Sequence, residues 1–560
     1  MMADSLEELT VMTEKTTQFL NYTGMEAKPR KCAVTSAKRT GNNYRPSPPA
    51  SISIQEKSIP YLNKEEPYKY LGYEINLTNT SNDKQCDKLI IDFKSNMSKI
   101  HLAPLSISIK CKLIQTLCIS PLMFFFQNLF FTEIQINSIE NCIVYYIREW
   151  FKLNQSSSRY FIFSPRSCGG LGIPNPRILY YAKHLAFYLS ILNSNDPLVK
   201  LAATDSFHLH MTKRKVEHCH DDNRNFCGYA IDDKGNFCKN SKVNWPKSQW
   251  QLLSSLCSRC NINLCTMRNV FVYMHHVDDD VSFKFDCHQK FYNYFKMYKL
   301  NEVVACFKTL SSQGRIVRDN EMINHKLSFT FLENLKLNDE IKIFTIKARL
   351  QLLECDSILH TWYPLSYQKD CKLCKNPSET VSHILNGCMP LKSYYIERHN
   401  RVVSLISSKI HNYILRENVS ILTDKFLKPS IFDNSININC TFSTPSTRPD
   451  ITIIDYTSKK VKLIEISTPF DAHIDKCFST KYLKYSPLAS EIKDLDYSIE
   501  IIILIIGSLG NVHCKLVSGL MMCALPRYEA DFLAKYLSIS SIIGSFKVWK
   551  KRCQLHFTHE

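Results

Sequence analysis

The spacing Cys371-x2-Cys374-x8-His383-x4-Cys388 constrains this chain more than any other feature. With 23 cysteines in 560 residues, about one Cys-x2-Cys pair is expected by accident, and the chain has two. A His and a Cys at usable later positions reduce the accidental expectation to the order of one in a hundred. Three thiolates and one imidazole complete a closed tetrahedral site, the arrangement of structural rather than catalytic zinc. Cys371, Cys374, His383 and Cys388 therefore read as a zinc knuckle that folds only with its metal.

Other clusters lack that spacing. Cys257-x2-Cys260 with Cys265 has no His partner at a usual interval. His218-Cys219-His220 with Cys227 lacks a second pair, and His275-His276 before Asp278-Asp279-Asp280 reads as a solvated loop. The chain is too large, and its spacings too irregular, for a disulfide scaffold, so most cysteines are expected as small buried hydrophobes in a reducing nuclear setting, extending to the cytoplasm. The start, Met1-Met2-Ala3-Asp4-Ser5, is not a signal peptide. The longest apolar runs, 121–131 and 499–509, are short for a membrane span, so no membrane partner is expected. A formal net charge of +18 favours a polyanionic partner, because basic surfaces gain affinity for nucleic acid through counterion release.

Along the chain, residues 1–35 read as a helix stopped near Gly24, and 36–60 as a linker or hairpin tip. Tyr68 to Leu77 reads as one strand with a close-approach glycine, Gly72. From 84 to 200 the pattern is helical, with stripes at Ile90, Phe93, Met97, Ile100 and at Leu113, Leu117. Gly169 to Pro174 breaks the helices and is no phosphate loop, since no Lys-Ser/Thr follows. Residues 200–365 mix polar loops with helical pieces.

After the knuckle, Arg448-Pro449-Asp450 leads into the strand-like Ile451 to Ile454, and a polar turn precedes a second strand, Val461 to Ile466. As a hairpin, this predicts Asp450 opposite Ser467, with Glu465 a diagonal neighbour on the same face. Two carboxylates converging from adjacent strands suit a hard divalent cation, Mg²⁺ or Mn²⁺. Lys481, Lys484 and Tyr485 share one face of a helix expected to stop at Pro487, and a lysine there can assist at a phosphate.

In order, YKYLGYEI, REWFKLN, GGLGIP, KARLQLL, the Cys/His segment, RPDITIID, LIEIS, TKYLKYSPL and LIIGSLG resemble the C-terminal part of non-LTR (LINE-type) retrotransposon polyproteins that carry a restriction-like endonuclease. The resemblance implies a multidomain α+β chain. Residues 1–83 would be a remnant of a reverse-transcriptase palm, 84–200 a helical thumb and 201–365 a mostly helical linker. A CCHC knuckle would follow at 366–399, and an α/β PD-(D/E)xK endonuclease domain at 400–560. By the same resemblance, Asp450 and Glu465 hold the catalytic cation, Lys481 is catalytic, and Lys484 and Tyr485 flank it. Glu465 stands where such sequences often have Asp, and Thr480 where an acidic residue commonly precedes the lysine. The palm aspartates of a polymerase are not found near the start, so the expectation is a truncated polyprotein that makes no DNA by itself. The implied partners are target DNA, element RNA and a complete copy of the retrotransposon protein. A non-catalytic nucleic-acid-binding remnant is the alternative.

Overall fold

The computed structural model describes residues 3, 5–40, 43–46, 51–63, 66–76, 81–213, 249–267, 270–278, 281–414, 417–433 and 435–557. The chain is mixed α+β, mostly helical with several small sheets. It divides into two compact units. One comprises residues 1–99, 116–142 and 176–296, and the other 100–115, 143–175 and 297–560.

In the first unit, helix Leu6–Thr23 starts where the Ser5 hydroxyl accepts the Glu8 N–H and ends at Gly24, whose φ of 68° suits glycine. The expected single strand at 68–77 is instead a hairpin, Tyr68–Tyr70 against Tyr73–Ile75. Leu71 and Gly72, at φ of 48° and 90°, form the two-residue turn between them. The solvated loop expected at His275 is the middle strand of an antiparallel sheet, Ile262–Met267, Val270–Asp278 and Val281–Phe285. His275 is buried there, its Nδ1 3.0 Å from the Tyr294 hydroxyl. Cys257 and Cys260 lie in an apolar core with Trp250, Tyr273 and Phe291, as their lack of a His partner suggested. The 218–227 cluster lies outside the described residues.

Ile90, Phe93, Met97 and Ile100 are buried as expected, but Leu117 is 51% exposed. The buried residues there are Ile107, Cys111, Ile114, Cys118 and Leu122, at ordinary helical spacing with Leu117 off that face, and the stretch Ile114–Ile119 is π-helical. The helical run Ile107–Phe125 is, by length and composition alone, long and apolar enough to cross a membrane, which the shorter run 121–131 had not suggested. Core helices of water-soluble proteins pass the same test.

The second unit holds the sheet on which Asp450 and Glu465 lie. Helix α1 (Lys392–Tyr413) precedes strands β1 (Val419–Thr423), β2 (Ile451–Asp455) and β3 (Lys460–Ser467). Helix α2 (Ile474–Lys493) crosses to β4 (Ser498–Ile505), and α3 (Leu516–Met522) and α4 (Arg527–Phe557) follow. The strand order is β1-β2-β3-β4, with the first two pairings antiparallel and β3–β4 parallel. β2 and the later parts of β3 and β4 are buried on both faces, where their sequences run nearly continuously apolar. Ile451, Ile453, Ile464 and Ile466 pack against Val402 and Ile406 of α1 and Leu533 and Leu537 of α4. Ile454, Val461 and Leu463 pack against Tyr485, Leu488 and Ile492 of α2.

Helix α2 does not stop at Pro487, which lies inside it. A proline there removes one helical hydrogen bond. Burial of Tyr485, Leu488, Ala489 and Ile492 against the sheet outweighs that loss.

Candidate metal and carboxylate sites

The short helix Val381–Asn386 begins where the Thr380 hydroxyl accepts the His383 N–H at 3.1 Å, and this cap aims the imidazole at the cysteines. The ligand atoms of Cys371, Cys374, His383 and Cys388 all lie within 4.8 Å of one another. Cys371 Sγ is 3.9 Å from Cys388 Sγ, and Cys374 Sγ is 3.2 Å from His383 Nε2. Ligands of tetrahedral zinc lie about 3.8 Å apart for two sulfurs at 2.3 Å from the metal, so the residues fit the ion and this group can bind zinc. Burial pushes the Cys371 thiol up to about 11 and Cys388 higher still, the latter helped by Cys371 and Cys374 beside it. Burial also lowers His383.

This cluster is not a separate bead on the chain. The expected boundary at 399/400 falls inside α1. Cys371 and Cys388 belong to one apolar core with Leu385, Phe470, Ile505 and Val548. Arg552 of α4 pairs with Glu379 and, at 3.3 Å, with Asp356; all three are buried. Burial alone would lower the Arg552 pKa, but the Glu379 and Asp356 charges outweigh it and raise it. Replacing Arg552 with Met would strand two buried carboxylates, so a loss of about 3–5 kcal/mol is expected in urea denaturation. A loss below about 1 kcal/mol would show that the pairing does not hold the segment to α4.

The carboxylates come together at one end of the sheet. Asp455 Oδ1 accepts from the Thr457 and Ser458 N–H groups, which fixes a four-residue turn at 456–459. The ladder then pairs Ile451 with Ile464, so its continuation puts Asp450 opposite Glu465, not Ser467. The expected register was off by two, an even slip that leaves both side chains on the same face. Ile466 N–H donates to Asp450 Oδ2 at 2.6 Å, which holds that carboxylate against β3. Glu465 is buried, and Lys481 Nζ from α2 lies 2.5 Å from its Oε1. Burial works to lower Lys481, yet the bond and charge of Glu465 outweigh it and raise its pKa. Lys484 Nζ is 4.0 Å from the same oxygen.

Tyr485 is 1% exposed. Its hydroxyl accepts from Lys484 at 3.1 Å and donates to the Arg448 carbonyl at 3.0 Å. Burial, with the Glu465 charge second, holds its pKa well up, so it stays a donor. It thus positions the chain entering Pro449-Asp450 and has no surface to offer a substrate.

Sequence reasoning passed over His399. Its Nε2 is 3.2 Å from the Ile466 carbonyl and 3.5 Å from Asp450 Oδ1. Asp450, against the opposing effect of burial, raises the imidazole to about 9. A cleft of about 470 Å³, lined among others by Asn386, Lys392, Tyr395, His399, Ser467 and Thr468, opens beside this group. Asn386 donates to the Thr468 carbonyl at 2.9 Å, and Arg398 donates to the carbonyls of Leu385 (3.1 Å) and Thr468 (3.4 Å). The Cys/His helix, α1 and the end of β3 are thereby tied around the cleft.

Chemically, the group combines two carboxylates, a lysine and a peptide carbonyl at one end of the sheet, and oxygen donors of this kind suit a hard divalent cation. No family model matches the chain. Over 179 residues, 31% of its length, it is 27% identical to the Retrovirus-related Pol polyprotein from type-2 retrotransposable element R2DM of Drosophila melanogaster. The match covers 16% of that relative. This distant, partial relationship supports a retrotransposon-related protein.

Proposed function

We propose that this protein binds nucleic acid and nicks DNA by cation-dependent hydrolysis of a phosphodiester, with the catalytic group at the end of β2 and β3. The observation that carries this reading is the juxtaposition of Asp450, Glu465 and Lys481, set by one hairpin register and one crossover helix. The Cys/His cluster, the net charge of +18 and the relationship to a retrotransposon polyprotein favour nucleic acid as substrate. On this reading 400–560 supplies a restriction-like endonuclease core, target DNA and element RNA are the partners, and the nucleus is the place of action.

Asp450 and Glu465 hold the cation. Bound Mg²⁺ or Mn²⁺ supplies Lewis-acid stabilisation of the phosphoryl oxygens and an acidified water. Lys481 balances the Glu465 charge and is placed to offset charge developing on the scissile phosphate. Lys484, half exposed, adds positive potential at the rim. Tyr485 keeps Arg448 in place so that Asp450 meets Ile466.

The full, zinc-loaded chain incubated with supercoiled plasmid should yield open circles with Mg²⁺ or Mn²⁺ and none with chelator. Absence of nicking with both ions, in protein that still binds DNA, would favour the non-catalytic binding remnant. Lys481→Ala should reduce the nicking rate about 10- to 100-fold. It should change DNA affinity less than about twofold, since one phosphate contact is a small part of a many-contact interface. Equal losses in rate and affinity would instead make Lys481 a docking residue.

A further inference from the structure

We infer that His399 is a third protein ligand of the divalent cation, giving the site an imidazole nitrogen and a preference for Mn²⁺ over Mg²⁺. The inference rests on the reading of Asp450 and Glu465 as cation-holding carboxylates. Three atoms from three different segments converge here. They are His399 Nε2 from α1, Asp450 Oδ1 from the entry to β2, and the Ile466 carbonyl from β3. Their separations from Nε2, 3.2 Å to the carbonyl and 3.5 Å to Oδ1, are near the spacing of about 3.0 Å between adjacent ligands of an octahedral ion bound at 2.1 Å. The second Asp450 oxygen is taken by the Ile466 N–H at 2.6 Å, which leaves Oδ1 as the oxygen turned to the imidazole.

The ring is held from behind. The preceding residue, Arg398, is buried and donates to Leu385 O, Ser545 Oγ and Thr468 O, so α1 is tied at this point to the Cys/His helix, to α4 and to the end of β3. His399 itself lines the open cleft, which gives an ion a path to Nε2. In the ion-free protein, the Nε2–H donates to the Ile466 carbonyl. Binding would replace that proton with the cation and release it to solvent, and the carbonyl would exchange the N–H for the ion. Carboxylates and carbonyls alone suit Mg²⁺ and Mn²⁺ alike, whereas a nitrogen ligand favours the transition ion.

Mn²⁺ binding to the zinc-loaded full chain, followed by electron paramagnetic resonance, tests this without reference to cleavage. Parent protein should bind one Mn²⁺ and show imidazole nitrogen coupling in the electron spin-echo envelope. His399→Gln should lose that coupling and weaken Mn²⁺ at least about tenfold, while Mg²⁺, read by competition, changes less than about threefold. Asp450→Asn should weaken both ions. Thermal melts identify any variant that fails to fold, and the coupling in the parent needs no variant at all. Bound Mn²⁺ without nitrogen coupling, or a His399→Gln affinity equal to the parent's, overturns the assignment while leaving the carboxylate reading intact. No Mn²⁺ or Mg²⁺ bound by the parent, with no nicking, overturns both.

Discussion

Asp450→Ala should lower plasmid nicking at least about 10³-fold, roughly 4 kcal/mol of transition-state stabilisation, while DNA affinity stays within about twofold. Removing one of two converging carboxylates leaves Glu465, which the structure shows already paired to Lys481, to hold the cation. The alanine variant also strips the Ile466 N–H of its acceptor, and a buried unpaired donor costs about 1–3 kcal/mol of stability. Asp450→Asn separates the two effects. Its amide oxygen can still accept from Ile466, so the fold is kept, but it lacks the charge that holds a hard ion. Asn should therefore melt close to the parent and nick as poorly as Ala. An Asn variant that nicks at the parent rate would remove Asp450 from the catalytic group. Nicking by both variants together would place any cleavage activity elsewhere in the chain.

How far the sequence reached depends on whether the deciding contacts were local. Strand parity is local, so the shared face of Asp450 and Glu465 was legible even though the expected pairing with Ser467 was two residues off. Register is set by the turn, and the Asp455 carboxylate that fixes a four-residue turn acts through its own backbone bonds rather than through any apolar pattern. Helical spacing placed Lys481, Lys484 and Tyr485 on one face, but it could not show that Tyr485 is buried and bonds to Arg448 O. Pro487 misled because local propensity disfavours it inside a helix, and only packing against β2 and β3 keeps the helix going. Leu71-Gly72 misled in the opposite sense: a β-rich run hid a two-residue turn. His399 left no trace, since its meaning comes from Asp450 and Ile466, both far along the chain. A polar Arg-His-Asn run on an otherwise amphipathic helix was the one available hint.

The same limit shapes what zinc should do. Ligand spacing announced Cys371, Cys374, His383 and Cys388, but a spacing cannot tell whether its module stands alone. Here Cys371 and Cys388 are buried in a core that also contains Phe470, Ile505, Leu509 and Val548. Without zinc, three thiols and an imidazole face one another at that core, and burial disfavours the Cys371 and Cys388 thiolates. Chelation, or Cys388→Ser, should therefore destabilise the sheet domain itself and not only the 366–399 segment. A structural zinc contributes several kcal/mol at least, so a fall in Tm of more than about 10 °C is expected for the transition that reports β2 to β4. Nicking should be lost with it, although no zinc ligand touches Asp450. Asn386 and Arg398 join the Cys/His helix to Thr468 at the end of β3, so loosening that helix releases the strand end on which Glu465 and Ile466 sit. Metal analysis of the full chain in reducing buffer should return about one zinc. A stoichiometry near zero would end the structural-zinc assignment. One zinc with an unchanged Tm after its removal would mean that the shared core, not the metal, holds this region together.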